Sequence, residues 1–391
     1  MTKVTRKRLL LLVLSLVCAV AVSESALALF LPQKTINQVW MTAPAMFRSS
    51  DILPYELKPN YRGRYVKPEF VTPVEINSQG YRGEEFDVAK SGRFRILAIG
   101  DSFTFGYTGP AAESYPSLLQ QNLGNALDDD SIEVINAGFA AGYFPDTYYL
   151  YLKERGLKLA PDLILIGFFI GNDIDWGEKG ASTKWVRIDD KGLPLQIESE
   201  IAHVENGCWV ARTRAPRYRI PFVRNSHVAQ ACVAGVKFFF RPRLSSYFNL
   251  YIYRKNYLDR TNKAVQLVQS MFVAMSDLAK TRQIPLVVVM IPTREQVYPS
   301  EYPFDEYPCE EGYDLEKPQT IFARFFDEQG IAYLDLLPRL REEPADQSLY
   351  YEKDMHWNRK GNEVASKAIA EHLLKSRLIE VGTQAGKSRE K

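Results

Sequence analysis

The chain has 391 residues, of which 46% are hydrophobic and 25% charged, and its formal net charge is +2 at pH 7. This composition is typical of a folded protein with one large core or two modest ones, and it excludes an intrinsically disordered chain. The charges are too balanced to propose a nucleic acid as partner, because such binding needs a basic stripe on one face.

The amino terminus carries a targeting signal. An apolar run from Leu9 to Val22, which Ser23-Glu24-Ser25 interrupts, follows four basic residues, namely Lys3, Arg6, Lys7 and Arg8. The pattern fits a cleaved signal peptide, with Ala26-Leu27-Ala28 as cleavage site, or an uncleaved anchor that continues to Pro32. We favour the anchor. The positive-inside rule then places the rest of the chain outside the cytoplasm, with the inner membrane as a partner.

Changes in composition divide the chain into four segments. Residues 1–32 form the signal, 33–92 an extended collar with short strands, 93–378 an α/β domain, and 379–391 a flexible tail. The α/β alternation is lost between about 174 and 257, and we interpret this stretch as an inserted lid. Its aromatic run at 238–240 fits ordinary packing better than a contact surface for an acyl chain or a membrane.

Export makes cysteine pairing relevant. Cys208 and Cys232 lie in a region with little periodic pattern, where a disulfide between them would stabilise the fold by restricting the unfolded chain. The alternative is that these two residues and Cys309 are free thiols. No spacing of cysteine and histidine resembles a metal site, so we expect no bound metal.

Alternating buried strands and amphipathic segments predict a parallel sheet covered by helices. The predicted strands are 94–99, 132–136, 163–169, 284–291 and 331–335. The predicted helices are 115–127, 146–157, 264–280, 319–329 and 362–374. In an open sheet of this kind, the ligand crevice lies outside the carboxyl ends of the strands.

Three of the predicted strands end in residues that are unusual for plain connections. These are Gly100-Asp101-Ser102, the stretch from Asn136-Ala137-Gly138 to Gly142, and Gly171-Asn172-Asp173. Because the carboxyl ends of parallel strands meet at one edge of the sheet, we expect these residues to converge on one crevice. Ser102 is the candidate nucleophile in that crevice.

A serine hydroxyl is a poor nucleophile unless a base lies within about 3 Å and a carboxylate orients that base. His356 is one of only four histidines, and Asp354 lies two residues before it. Ser102, His356 and Asp354 therefore supply the nucleophile, the base and the orienting group. The Ser102 amide, an amide of the glycine-rich turn and the Asn172 side chain would stabilise the oxyanion.

In this order, the residues resemble the motif blocks of the SGNH hydrolase superfamily, also called GDSL-like lipases and acylhydrolases. The resemblance covers roughly residues 94–376. Gly100-Asp101-Ser102 matches the first block and Gly171-Asn172-Asp173 the third. The resemblance implies a flavodoxin-like three-layer α/β/α fold. It also implies a serine ester hydrolase or acyltransferase that uses no metal or organic cofactor.

The second block departs from the family pattern. The oxyanion glycine usually stands five residues after the Asn, but here Ala141 occupies that position. Because the donor is a backbone amide, a one-residue bulge would preserve it, and we assign the role to Gly142. Gly138 then serves the tight turn.

The final block is shorter than usual, because only Met355 separates Asp354 from His356 where the family has two residues. This Asp-x-His-Trp form is similar to that of the alginate O-acetyltransferase branch, which favours a carbohydrate ester as substrate. The shorter spacing also leaves Glu352 as an alternative orienting group.

Each of these residues also admits a structural role. Ser102 could be a helix N-cap, Asn172 a turn residue and His356 a structural hydrogen-bonding residue. Asp101 and Asp173 fit binding of turn backbone better than action on substrate.

Arg294 follows the fourth long strand and fits a substrate clamp and a structural ion pair equally well. The sequence as a whole predicts an extracytoplasmic serine ester hydrolase or O-acyltransferase. It would form an acyl-serine intermediate and act on an acylated saccharide or envelope glycan. The alternative is a catalytically silent protein that keeps the fold and binds a glycan or a protein partner.

Overall fold

Strands and helices alternate through most of the chain. The computed structural model describes residues 3–33, 45–67, 69–140, 142–178, 186–189, 193–197, 202–211, 220–240, 250–302, 304, 309–344, 346–352 and 354–379. The strands are β1 (Phe47–Arg48), β2 (Glu56–Leu57), β3 (Arg62–Val66), β4 (Val71–Glu75), β5 (Phe94–Gly100), β6 (Ile132–Gly138), β7 (Leu163–Phe169), β8 (Val186–Ile188), β9 (Pro194–Ile197), β10 (Ala202–Glu205), β11 (Cys208–Ala211), β12 (Leu286–Ile291) and β13 (Ala332–Asp335). The helices are α1 (Lys3–Phe30), α2 (Ser102–Phe105), α3 (Tyr115–Leu127), α4 (Pro145–Glu154), α5 (Ile170–Glu178), α6 (Pro221–Asn225), α7 (His227–Phe240), α8 (Asp259–Thr281), α9 (Arg294–Val297), α10 (Lys317–Gln329), α11 (Leu337–Arg341) and α12 (Arg359–Lys375).

Within the described residues, five strands form one parallel sheet in the order β6-β5-β7-β12-β13. Counted along the chain, this is the 2-1-3-4-5 order of flavodoxin-like folds, in which the ligand crevice lies between the first and third strands. Here those strands are β5 and β7. The order confirms the predicted fold class, and it puts Ser102 and Asn172 after the two strands that flank the crevice.

Helices cover both faces of this sheet because the side chains of a buried strand alternate between its faces. On one face, Leu119 of α3 and Ile369 of α12 join Ile96 of β5 in one apolar cluster. On the other face, the ring of Phe168 in β7 lies 5.0 Å from that of Phe272 in α8. The predicted three-layer arrangement is confirmed.

The predicted elements are present, with shifted ends. β6 extends two residues further than predicted, to Gly138, and α8 begins five residues earlier, at Asp259. The predicted helix at 146–157 ends at Glu154 and is followed by a 3-10 helix at Gly156–Leu159. A Cβ at Gly156 would lie 2.9 Å from the end of the Leu97 side chain, so this 3-10 helix lies close against the sheet.

The collar forms two antiparallel hairpins, β1 with β2 and β3 with β4. It is also tied to α2 through Arg82, whose side chain is 1% exposed. The Arg82 guanidinium donates a hydrogen bond to the carbonyl oxygen of Gly109 and lies 4.4 Å from the centroid of the Phe105 ring. Burial lowers the pKa of Arg82 to about 10. The collar therefore braces the helix that begins with the candidate nucleophile.

The chain divides into two units. The smaller consists of residues 1–43 and 211–247, and the larger of residues 44–210 and 248–391. The predicted lid is thus shared between the units, and parts of it lie outside the described residues, as does the tail from residue 380. In the smaller unit, Val4–Phe30 is long and apolar enough to cross a membrane, with a mean hydropathy of 2.3.

The predicted disulfide between Cys208 and Cys232 is not formed, and both residues are free thiols. Cys208 is buried in the larger unit, whereas Cys232 is exposed on α7 of the smaller one. Burial raises the pKa of the Cys208 thiol to about 11.

Candidate active site

Ser102 is the first residue of α2, a helix of a single turn directly after β5. The helix N-cap is Asp101, whose carboxylate accepts a hydrogen bond of 2.9 Å from the Phe103 amide. The helix ends at Gly106, which has a φ of +69° in the left-handed region. Because Asp101 provides the cap, the Ser102 hydroxyl does not serve that role.

The nucleophile helix sits directly on the ends of the neighbouring strands. A side chain at Gly138 would place its Cβ 2.2 Å from the backbone nitrogen of Phe105, closer than non-bonded atoms approach. The Gly138 amide also donates to the side-chain oxygen of Asn136 at 3.0 Å. Gly138, which the sequence interpretation assigned to the tight turn, is the last residue of β6 and permits the close approach of α2 to that strand.

The structure joins Ser102, His356 and Asp354 in a chain of hydrogen bonds. Ser102 Oγ lies 2.7 Å from His356 Nε2, and His356 Nδ1 lies 2.9 Å from Asp354 Oδ1. Burial opposes ionisation of Asp354, but its hydrogen bond to His356 and the nearby positive charges lower its pKa overall. An ionised Asp354 fixes the tautomer that leaves Nε2 free to accept the serine proton.

The short spacing between Asp354 and His356 depends on Met355. Met355 has a φ of +71°, a left-handed conformation that is uncommon outside glycine and turns the chain sharply. The Tyr351 amide donates to the His356 carbonyl oxygen at 2.9 Å, and the Thr108 hydroxyl donates to the Trp357 carbonyl oxygen at 2.7 Å. These contacts hold the loop so that a single spacer residue brings the carboxylate to the imidazole.

Tyr107 is a fourth member of this network that the sequence interpretation missed. Its hydroxyl donates a hydrogen bond to Asp354 Oδ1 and lies 3.1 Å from His356 Nδ1. Burial and the charge of Asp354 raise the pKa of Tyr107 far above its usual value, so the hydroxyl stays protonated. The sequence offers one signal for this placement. Tyr107 directly follows Gly106, the glycine that ends α2.

Residues of the collar also contact the site. The composition of the collar did not predict this contact. In the connection between β3 and β4, the Glu69 carboxylate accepts a hydrogen bond of 2.6 Å from the Asp354 amide. The Phe70 ring lies 5.7 Å from that of Tyr107, and Lys67 Nζ lies 5.8 Å from the same ring. The β3–β4 hairpin is therefore part of the wall behind the triad.

Asn172 lies near the start of α5, where its side chain is held by Asp101. Asn172 Nδ2 donates to Asp101 Oδ2 at 2.9 Å, which leaves the second N–H of the amide group for another acceptor. Burial raises the pKa of Asp101 although hydrogen bonds from Phe103 and Asn172 oppose the shift. Asp101 thus caps α2 and orients Asn172, in keeping with the structural role predicted for it.

Gly142 follows β6 with a φ of +68°, and its α-carbon lies against the ring of Trp209. A Cβ at this position would come within 2.4 Å of that ring. Its neighbour Ala141, the position of the family's usual glycine, lies outside the described residues. Both the backbone conformation and the tryptophan therefore require glycine at position 142.

Residues 250–391 match the family described as "SGNH hydrolase-like domain, acetyltransferase AlgX". Residues 250–391 are thus similar to an SGNH hydrolase-like domain. The matched residues contain Asp354 and His356, while Ser102 and Asn172 lie before them. No curated protein sequence matches the chain.

Several solved structures are similar to this chain. The lipase/acylhydrolase from Enterococcus faecalis is 12% identical, with a TM-score of 0.39, over 72% of this chain and 96% of that one. The acetyl xylan esterase AlAXEase is 14% identical, with a TM-score of 0.38, over 71% and 99%. The psychrotrophic esterase EstA from Pseudoalteromonas sp. is 13% identical, with a TM-score of 0.36, over 73% and 98%.

Arg294, for which the sequence left a substrate clamp and a structural ion pair open, forms an ion pair. Its guanidinium lies 2.5 Å from the Glu301 carboxylate and donates to the Tyr302 hydroxyl at 3.0 Å. The Tyr302 hydroxyl in turn lies 3.9 Å from Met355 Sδ. Arg294 is therefore linked to the loop before His356 through Tyr302.

Proposed function

We propose that the protein is a serine ester hydrolase or O-acyltransferase, with Ser102 as nucleophile, His356 as general base and Asp354 as the group that orients it. The observation that carries the proposal is the hydrogen-bonded chain from Ser102 Oγ through His356 to Asp354. Three residues from two distant parts of the sequence meet in the geometry that activates a serine hydroxyl.

The reaction proceeds in two halves. His356 Nε2 takes the Ser102 proton as Oγ attacks the ester carbonyl carbon, and the imidazolium then gives that proton to the departing alcohol. The result is an ester of Ser102. In the second half, His356 takes a proton from water or from an acceptor hydroxyl as that oxygen attacks the acyl carbon. The imidazolium then gives the proton to Ser102 Oγ as the acyl–oxygen bond breaks, which restores the free serine. Water as acceptor makes the protein a hydrolase, and a sugar hydroxyl makes it a transferase.

A negative charge develops on the ester carbonyl oxygen in the transition state. Hydrogen-bond donors that are already positioned around that oxygen stabilise the charge. The free N–H of the Asn172 side chain, fixed by Asp101, supports this role, as does the Ser102 amide at the start of α2. We assign the third donor to the Gly142 amide. Each such donor typically contributes about 3 kcal/mol to stabilisation of the transition state.

A carbohydrate O-acyl ester is the proposed substrate, and the matching family's description as an acetyltransferase favours an acetyl group. The proposed location is outside the cytoplasm. Val4–Phe30 would serve as a membrane anchor, and the basic residues at its start favour the cytoplasmic side for the amino terminus. An anchored enzyme of this kind would act on glycans at the membrane surface.

A fluorophosphonate probe tests the nucleophile in the full-length protein purified in detergent. We expect labelling at Ser102, loss of labelling in Ser102→Ala, and hydrolysis of p-nitrophenyl acetate by the wild type alone. Ser117→Ala, on α3, is the matched control and should label like the wild type. A wild-type protein without labelling or turnover would favour a silent glycan-binding protein instead.

Transfer is distinguished from hydrolysis by adding sugar acceptors to the same reaction. For a transferase, we expect acetylated sugar in the products and faster release of p-nitrophenol, because the acceptor hydroxyl competes with water for the acyl-serine. For a hydrolase, acetate is the sole acyl product whatever acceptor is present. Mass spectrometry of the products separates the two results.

A further inference from the structure

Strands β10 and β11 form a hairpin within the insertion, and all of this hairpin up to Val210 belongs to the larger unit. Two residues connect the strands, Asn206 with a φ of +52° and Gly207 with a φ of +75°. Asn-Gly is a preferred pair for two-residue hairpin turns of type I′, because both positions of that turn need a positive φ. The sequence therefore encodes this hairpin locally.

The tip of the hairpin contacts the collar. The Phe47 amide of β1 donates a hydrogen bond of 2.9 Å to the Gly207 carbonyl oxygen. A Cβ at Gly207 would lie 2.6 Å from the Ala45 carbonyl oxygen, so the two backbones are in direct contact there. This contact fixes where β11 begins and therefore where Trp209, its second residue, is placed.

The Trp209 side chain lies against the turn that follows β6. The three atoms nearest to a Cβ at Gly142 would all belong to the six-membered ring of the indole, at 2.4 to 2.7 Å, so this ring covers the Gly142 α-carbon. Trp209 is half-buried, and its ring centroid lies 6.1 Å from that of the buried Tyr55. A ring from the insertion thus closes one side of the turn.

Both ends of this turn are held by other contacts. The Phe139 ring stacks on the Tyr143 ring, with 3.8 Å between the centroids and 9° between the planes. The Tyr143 hydroxyl donates to the Tyr55 carbonyl oxygen at 2.7 Å, and the Phe139 amide donates to the Gly100 carbonyl oxygen at 3.0 Å. One end is therefore fixed to the strand that precedes Ser102, and the other end to the collar.

Between these fixed ends, Gly142 has no side chain of its own to hold it. Glycine reaches several backbone regions at little cost, so the direction of the Gly142 amide depends on contacts from outside the turn. An oxyanion donor contributes most when its direction is set before the reaction, and a displacement of about 1 Å costs up to about 100-fold in rate. The Trp209 ring limits the freedom of Gly142 because it lies on the α-carbon.

We propose that Trp209 is a positioning residue for the oxyanion hole and that it fixes the direction of the Gly142 amide. The inference rests on the proposed function, in which that amide is the third oxyanion donor. The collar and the insertion then act on catalysis together, because the collar places the hairpin and the hairpin places the indole. A ring that positions a donor changes kcat, whereas a ring that binds substrate changes KM.

The first test is this split between kcat and KM, measured on the full-length protein in detergent. Trp209→Ala should lower kcat for p-nitrophenyl acetate about tenfold and leave KM within about twofold, because only the transition state carries the negative charge. Trp209→Phe keeps an aromatic ring with a shorter reach and should lower kcat by less. Tyr333→Ala, at a half-buried aromatic residue of the edge strand β13, is the matched control and should keep both constants.

The second test uses 2,2,2-trifluoroacetophenone, a ketone that mimics the tetrahedral intermediate. Ser102 Oγ adds to its carbonyl carbon while His356 takes the proton, and the hemiketal oxygen keeps a negative charge in the oxyanion hole. Trp209→Ala should raise the inhibition constant by the same factor by which it lowers kcat/KM. An unchanged inhibition constant would overturn the proposal.

Gly142→Ala tests the contact itself. Alone, the new methyl group would overlap the Trp209 ring and displace the turn, so we expect kcat to fall about 100-fold. The double variant Gly142→Ala/Trp209→Ala removes the overlap and should recover about tenfold in kcat relative to Gly142→Ala. Losses that simply multiply in the double variant would overturn the proposal, because the two residues would then act independently.

Hydrogen exchange separates this inference from the proposed function. In Trp209→Ala, the peptide that covers residues 139–143 should exchange at least about tenfold faster, while peptides of β5 and β7 stay unchanged. Unchanged exchange of that peptide would overturn the inference even in an active enzyme. A rise in KM at constant kcat would overturn it too and would assign the indole to substrate binding.

Failure of the proposed function would give a different result. A wild-type protein without fluorophosphonate labelling would overturn that function and with it the oxyanion role of Gly142. The exchange measurement would still decide whether Trp209 holds the turn, because it needs no turnover.

Discussion

Tyr107 and Asp354 are joined by a hydrogen bond from the tyrosine hydroxyl to the carboxylate oxygen that also contacts His356 Nδ1. One oxygen atom therefore accepts from both the base and a buried phenol. The tyrosine withdraws part of the carboxylate charge from His356 while it fixes the direction of the carboxylate. The balance between these two effects sets how Asp354 supports the base.

Replacing Tyr107 by Phe should lower kcat for p-nitrophenyl acetate about tenfold, with little change in KM, because a hydrogen bond to a charged group is lost. The acidic limb of kcat/KM against pH should move to higher pH, since the hydrogen bond from Tyr107 is one of the contacts that lower the pKa of Asp354. Three other ionisable groups act on Tyr107. Lys67 lies near its ring, the Tyr65 ring packs against it, and the charge of Asp101 acts on its hydroxyl.

Tyr65→Phe is the matched control for this variant. Its ring lies 5.1 Å from that of Tyr107 and is equally buried, but Asp354 and His356 are not among its hydrogen-bond partners in the described structure. It should leave the pH profile in place. Equal profiles for Tyr107→Phe and the wild type would show that Tyr107 acts only in packing.

Asn172→Ala should lower kcat about 100-fold, because one donor to the oxyanion is lost. The fold should remain intact, as measured by thermal unfolding. Asn122→Ala is a suitable control, since Asn122 makes a comparable side-chain hydrogen bond of 3.0 Å to Ser366, between α3 and α12. An Asn172→Ala variant with full activity would remove this residue from the proposed oxyanion hole.

Gly138→Ala should abolish labelling by the fluorophosphonate probe, because the new methyl group would overlap the Phe105 amide and displace α2. Gly124→Ala on α3 is the control. Its Cβ would meet nothing nearer than 3.5 Å, so it should stabilise the protein by about 0.5–1 kcal/mol through helix propensity. Normal labelling of Gly138→Ala would mean that α2 tolerates displacement from β6.

Asp146 makes stability depend on pH. Burial raises its pKa to about 8, despite the hydrogen bond that it accepts from the Thr147 amide. In the unfolded chain an aspartate titrates near 3.9. A raised folded pKa contributes stability that is fully present below the unfolded pKa and is lost as pH rises towards 8.

Asp146→Asn should therefore increase the free energy of unfolding by about 5 kcal/mol more at pH 8 than at pH 4, because Asn carries no charge and still accepts from Thr147. Thermal unfolding at a series of pH values measures the difference. Asp346→Asn, at an exposed position, should show no such trend. A gain that is constant with pH would mean that the pKa of Asp146 is the same in the folded and unfolded states.

The sequence predicted the parts of the site that depend on residue type and on position after a strand. Ser102 and Asn172 could be placed because a buried strand precedes each and parallel strands end at one edge. His356 and Asp354 could be chosen because few histidines exist and a serine needs a base with a carboxylate. The element types were predictable for the same reason, since apolar periodicity follows from burial on one or both faces.

The roles of Arg294, Cys208 and Tyr107 could not be predicted in this way. Arg294 fits a clamp or an ion pair until Glu301 is seen beside it. Cys208 and Cys232 have a plausible spacing, but spacing carries no information on which unit each packs in. Tyr107 contacts a carboxylate 247 positions away in the sequence.

The sequence by itself thus determined the fold class and the candidates for nucleophile and base, because local apolar pattern and side-chain chemistry are properties of short segments. Only the tertiary structure decided the fourth residue of the network, the contribution of the collar, and the contact of Trp209 with Gly142. Those features are contacts between distant segments. Their geometry is set by packing of the whole chain, which no local pattern encodes.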